Sequence, residues 1–198
     1  SGGTALERAA VRNAFYSGQL LVAAAGNDNN ATIIHPAKYA KMVCAVGAYF
    51  MNGRRWRDDV LGGDSLVGSC YGPEMDLAAP GGRMVATTDY GGRCADSLYT
   101  YCPNGSSGTS SAAPVVSGVA ALLLSKYKAK GVTGADEPLI GEDLYQTMII
   151  TARHPDRDSL GVEKAFEDSA GFGHVRADTA LKLLAPPRVV YHRAEGFL

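Results

Sequence analysis

The sequence predicts an α/β protein, a three-layer sandwich around a mostly parallel sheet, and three observations carry that expectation. Two continuous apolar runs, residues 20–25 and 43–48, lack the alternation of a strand with one wet face. Both therefore read as strands covered on both sides, as in a parallel sheet. A third run, Val115, Val116, Gly118, Val119, Ala120, Ala121, Leu122, Leu123 and Leu124, is too long for a strand. It reads as a buried helix that opens at or near Ser110, with Pro114 in its first turn.

Composition sets the bounds. The 198 residues, 46% hydrophobic and 20% charged, are enough to bury one sizeable core. The 24 glycines suit close helix–sheet packing. No repeat or low-complexity linker divides the chain, so residues 1–198 read as part of one domain. A net charge of −1 gives no electrostatic reason to bind nucleic acid or an anionic membrane. No apolar run reaches the length of a membrane span. Cys44, Cys70, Cys94 and Cys102 form no CxxC pair and stand at no zinc spacing with histidine. Disulfides in an oxidising compartment are the preferred reading, over buried free thiols.

The elements follow in order. Thr4-Ala5-Leu6-Glu7 is a capping box, and Leu6, Ala10, Val11, Ala14 and Phe15 make one helical apolar face that Gly18 ends. The strand at 20–25 runs into Gly26-Asn27-Asp28, a turn at the strand end where open α/β sheets place their sites. The strand at 43–48 is followed by a charged surface loop, residues 53–64. Residues 84–88 and 97–101 read as the arms of a hairpin leading to the loop before Ser110. Residues 131–138 are a polar loop, and Gly141-Glu142-Asp143 opens a helix through Ile150 with its acids at the positive end of the dipole. A last helix is expected over residues 178–184, ended by Pro186-Pro187.

A serine at the opening of a buried helix sits beside unpaired backbone N–H groups, which can hold an oxyanion formed on a carbonyl that its hydroxyl attacks. Taken alone, Ser110 is equally an ordinary helix cap and Asn27 an ordinary turn former. The longer strings are more specific. Gly108-Thr109-Ser110-Ser111-Ala112-Ala113-Pro114, followed by V-x-G-V-A-A-L-L-L, resembles the nucleophile segment of the subtilisin-like serine proteases (subtilases). The resemblance implies Ser110 as nucleophile; Ser111 stands where the family more often has Met. Ala23-Ala24-Ala25-Gly26-Asn27 resembles the segment whose asparagine donates to the oxyanion, which implies that role for Asn27. His35-Pro36-Ala37-Lys38-Tyr39 with the strand after it, residues 71–81, and the Gly171–Ala177 turn resemble further blocks of the family. His35 occupies an aromatic position there and reads as packing.

The resemblance also implies a subtilisin-like fold and a slot for the substrate's P1 side chain. Its walls would be Gly2-Gly3 and Ala24-Ala25-Gly26, and its floor Ile34. Asp76 falls where some members place a calcium-binding carboxylate, with backbone oxygens near Lys41 and Val43 to complete a structural Ca²⁺ site; no cofactor is expected for the chemistry. Two disulfides are expected, Cys94–Cys102 across the hairpin and Cys44–Cys70 from a strand to the loop before Tyr71.

A serine hydroxyl needs a general base, and the family order is Asp, His, Ser. None of His35, His154, His174 and His192 has the His-Gly-Thr setting, and three of them follow Ser110. The Asp and His portion is therefore expected upstream of Ser1 or on another chain, which makes this an incomplete domain. The function expected is that of a secreted serine endopeptidase acting on peptide or protein substrates, with this chain alone nearly inactive. The alternative is a non-catalytic fragment or pseudoprotease with a structural or binding role. The absence of Gly-x-Ser-x-Gly speaks against a lipase or esterase.

Overall fold

A computed structural model of the chain describes residues 3–62, 66–82, 107–129, 139–154 and 165–183. Helix α1 (Ala5–Tyr16) begins at Thr4, whose hydroxyl accepts the Glu7 N–H at 3.1 Å, one half of the capping box that the sequence proposes. Gly18, at φ +82°, turns the chain out of the helix toward the sheet.

Three strands, β1 (Val22–Ala24), β2 (Cys44–Tyr49) and β3 (Leu77–Pro80), form a parallel sheet in the order β1-β2-β3. Val46 is the common rung, level with Ala24 on one side and Leu77 on the other. Because the strands run the same way, their C-terminal ends meet along one edge. Helix α2 (Thr109–Ala129) crosses one face and touches all three strands. The period-two pleat then sorts β2 cleanly. Cys44, Val46 and Ala48 pack with Ala112, Val116, Val119 and Leu123 of α2, whereas Ala45 joins Ala25, Ile33, Ala37 and Met75. Helix α3 (Gly141–Thr151) packs on α2, and the short α4 (Ala177–Ala180) packs on α3. Gly141 is tightly placed, since a Cβ there would lie 2.2 Å from the Leu20 backbone nitrogen.

The α/β class and the parallel sheet are as the sequence predicts; several details differ. The strand expected over 20–25 is only Val22–Ala24 and half-buried, because β1 is the outermost strand among the described residues. The apolar face of α1 buries no residue, and Leu6 is 81% exposed. Pro114 is the sixth residue of α2, beyond the first turn, so it removes the N–H that would bond the Ser110 carbonyl. The loop 53–64 is not all surface. It holds a 3₁₀ turn, Asp58–Leu61, and Trp56, which donates its backbone N–H to Ala48 at 2.8 Å and is buried in the α2-side core. The hairpin expected over 84–88 and 97–101, the loop 131–138 and the chain beyond 183 lie outside the described residues. No described helix is long and apolar enough to cross a membrane.

Candidate active site

The C-terminal edge of the sheet and the first turn of α2 come together at Gly26, Asn27, Gly81, Gly108, Thr109 and Ser110. Ser110 is exposed at the second position of α2, with Thr109 buried beside it. Thr109 reaches back to the end of β1. Its backbone N–H donates to Asn27 Oδ1 at 3.0 Å and its hydroxyl donates to the same oxygen at 2.8 Å. The hydroxyl oxygen accepts the Gly26 N–H at 3.2 Å. Asn27 itself is exposed.

The loop ahead of α2 is held to the end of β3. Gly108, at φ +97°, donates its N–H to Gly81 O, and Ser111 N–H returns to Gly108 O at 3.0 Å. A Cβ on Gly108 would meet the Asn27 amide at 3.0 Å, which explains the glycine before Thr109. In the first turn of α2, the N–H groups of Thr109, Ser111 and Ala112 are taken up by Asn27 Oδ1 and Gly108 O.

The expected P1 slot is partly described. Ala24, Ala25 and Gly26 continue from β1, and Ile34 N–H donates to Ala25 O at 3.0 Å. The Ile34 side chain is 39% exposed and lies against Gly26, where a Cβ would come within 3.1 Å of it. Gly3 packs against Tyr39 and His35 instead of standing free; a Cβ there would collide with both rings. Gly2 lies outside the described residues.

The histidines have other places. His35 sets its ring edge against Tyr39, with centroids 4.7 Å apart, the packing role that the sequence suggests. His174 stacks on Tyr49 at 3.7 Å, and His154 is buried just past α3. His192 is outside the described residues.

The Cys44–Cys70 disulfide is not formed: both residues are free and buried. The register explains it. Cys44 is level with Val22 at the start of β2, while the Cys70 N–H bonds Gly26 O, four residues further along. At strand rise that is ~13 Å, well beyond disulfide reach. Burial, and next the Asp76 carboxylate, push the Cys44 thiol well above its ordinary pKa. Cys94 and Cys102 lie outside the described residues.

Asp76 is buried, with Oδ2 accepting the Ala45 N–H at 2.8 Å and Oδ1 accepting the Tyr145 hydroxyl. Among the described residues no group of three or more His, Cys, Asp or Glu is placed to hold a metal. A calcium ion at Asp76 would draw its other oxygens from the backbone and share a carboxylate that protein donors already hold.

The sequence does not single out Thr109 or Gly81. Both stand inside strings that it does mark, Gly-Thr-Ser and Ala-Pro-Gly, so the signal was present without the contact that gives it meaning.

Residues 1–173 match the family model described as the Subtilase family. The chain is 41% identical over 127 residues to the thermostable alkaline protease of Halalkalibacterium halodurans, covering 64% of this chain and 29% of that protein. It is 33% identical over 165 residues to the halolysin-like extracellular serine protease Nep of Natrialba magadii, covering 83% of this chain and 23% of the other. Among solved structures, that of the prenylagaramide maturation protease superposes with a TM-score of 0.66 at 23% identity, over 91% of this chain and 56% of that one. The chain therefore spans less than a third of either protein relative.

Proposed function

Because the chain belongs to the subtilase family, we propose that it is the nucleophile-bearing portion of a serine endopeptidase. Ser110 attacks the scissile carbonyl, and the oxyanion is held by Asn27 Nδ2 and the backbone N–H of Ser110 itself. The Asp and His of the triad come from outside this sequence, upstream on the same precursor or on a second chain. The substrate is a peptide or protein, its P1 side chain entering beside Ala24, Ala25, Gly26 and Ile34.

One observation carries the reading: Asn27 Oδ1 accepts both donors of Thr109, the residue directly before Ser110, which leaves the amide nitrogen of Asn27 free to serve as a donor at the nucleophile. The extracellular relative supports a secreted protein. A structural Ca²⁺ at Asp76 belongs to the proposal as a stabiliser only.

The test joins residues 1–198 to the Asp and His portion, in cis or by mixing. The joined protein is expected to hydrolyse peptides, the separate chain to be nearly inactive, and Ser110→Ala to lose on the order of 10⁶ in kcat. Full activity with Ser110→Ala, or robust serine-selective labelling of the separate chain, overturns the proposal.

A further inference from the structure

Outside the Ser110 site, a cavity of about 410 Å³ lies at the end of β2, between the chain that follows that strand and residues 167–174. The size is that of a small-molecule site. Tyr49 and His174, stacked on each other, stand on its wall, and Arg54, Arg55 and Arg57 line it against one carboxylate, Glu167. Backbone bridges from Arg55 to Tyr49 and from Arg57 to Gly68 hold the arginine strip to its neighbours. The three guanidiniums differ in their partners. Arg57 is compensated: its Nε donates to Asp59 Oδ1 at 3.1 Å and its Nη2 to Oδ2 of the same carboxylate. Arg55 is half-buried and meets neutral oxygens. Its Nη1 donates to Asn29 Oδ1 at 2.9 Å and to Ser69 O, and its Cζ lies 4.8 Å over the Tyr71 ring. These contacts fix the guanidinium plane and leave Nε and Nη2 without a partner among the described residues. Burial, and next the charge of Arg57, lower the Arg55 pKa, while Tyr71, Cys70 and Asp59 pull it the other way. Arg54 is exposed, with no side-chain partner among the described residues.

We propose that this cavity binds a phosphate group, free or carried by a small organic molecule, with Arg54 and Arg55 as its principal ligands. A half-buried guanidinium held in a fixed plane by neutral groups is a preorganised anion receptor, and the second uncompensated guanidinium calls for a second negative charge. A single guanidinium fork already satisfies the one planar edge of a carboxylate. A tetrahedral phosphate takes donors from several directions, as a cluster of arginines supplies them. No lining residue belongs to the Ser110 site, so the proposal is independent of the peptidase reading.

The experiment uses the complete protein, with the Asp and His portion present, in its Ser110→Ala form so that self-cleavage cannot disturb the titration. Calorimetric titration with sodium phosphate, at an ionic strength held constant with chloride, is expected to show one saturable site, and phosphate should raise Tm. Arg54→Gln and Arg55→Gln should each weaken binding about tenfold, the loss expected for hydrogen bonds to a charged group. Arg55 also anchors Asn29 and Ser69; if Arg55→Gln does not melt cooperatively, Arg54→Gln on its exposed side chain decides alone. Phenyl phosphate separates the two sources: tighter binding than inorganic phosphate assigns an organic phosphate whose remainder fills the cavity, and equal binding assigns the free ion. Four results would overturn the proposal. They are no saturable binding, the same Tm rise from chloride at equal ionic strength, succinate binding as tightly as phosphate, and an unchanged affinity in Arg54→Gln. The chloride result would mean that salt merely screens the repulsion between Arg55 and Arg57. Phosphate binding by a parent without peptidase activity would remove the peptidase reading and leave this proposal standing.

Discussion

Gly108 donates its backbone N–H to the carbonyl oxygen of Gly81, and a Cβ on Gly81 would lie 2.6 Å from the carbonyl oxygen of Gly108. The same Cβ would stand 2.8 Å from Ala48 and 3.0 Å from Ala112, so the loop ahead of Ser110 rests on the end of β3 with no room between. Gly81→Ala is expected to cost about 1–3 kcal/mol, the range for overpacking a filled site. Part of the strain would fall on the loop, so kcat of the complete enzyme should drop together with the denaturation midpoint. A parental midpoint and rate would show that the loop does not rest there.

Alkaline pH is expected to destabilise the fold through Cys44. Its thiol holds a proton more tightly when folded than at its ordinary value of 9.0, because burial and Asp76 oppose the thiolate. The folded state therefore binds more protons than the unfolded one above that value, and stability, whole below pH 9, declines as pH rises. The slope reaches at most about 1.4 kcal/mol per pH unit for one such group. Denaturant titrations between pH 8 and 10 should show the decline in the parent and less of it in Cys44→Ala.

Cys44 and Cys70 should resist alkylation in the folded protein and react on unfolding without reductant. Mapping of non-reduced peptides would then find both thiols modified, and would test the pairing of Cys94 with Cys102. A peptide joining Cys44 to Cys70 would contradict the register of β1 and β2.

Tyr145 ties α3 to the sheet through the Asp76 carboxylate. Tyr145→Phe is expected to lose about 1–3 kcal/mol, as for a hydrogen bond to a buried charged group, with KM unchanged. Chelation of the complete enzyme tests the proposed Ca²⁺ separately: a lower Tm supports it, and an unchanged Tm removes it.

Ile34 beside Gly26 should favour small or medium apolar P1 residues over Phe, Tyr and Trp by about tenfold or more in kcat/KM, the cost of overpacking a short slot. Ile34→Gly should narrow that difference in a P1 peptide series. A parent that already prefers Phe would rule Ile34 out as the floor.

Much of the site was legible because its parts are local strings. Ser110 opens a helix whose apolar run cannot be a strand, and Asn27 ends an apolar strand in a glycine turn. What escaped depended on register and distance. Thr109 and Asn27 meet only when the first turn of α2 reaches the end of β1, and the Cys44–Cys70 pairing failed because strand alignment sets the two sulfurs at opposite ends of β1. The face of α1 has the helical period that the sequence shows, yet Leu6 stays exposed, since periodicity describes a face and says nothing of what covers it.

The contact between Asn27 and Thr109 joins residues 82 positions apart. Closing it costs chain entropy that only the docking of the sheet and α2 recovers. Before that docking, Ser110 stands on a separate helix and Asn27 in a separate turn. On the proposed peptidase reading, cleaving capacity would therefore arise only with these long-range contacts. An unassembled chain would then lack the chemistry needed to digest its neighbours.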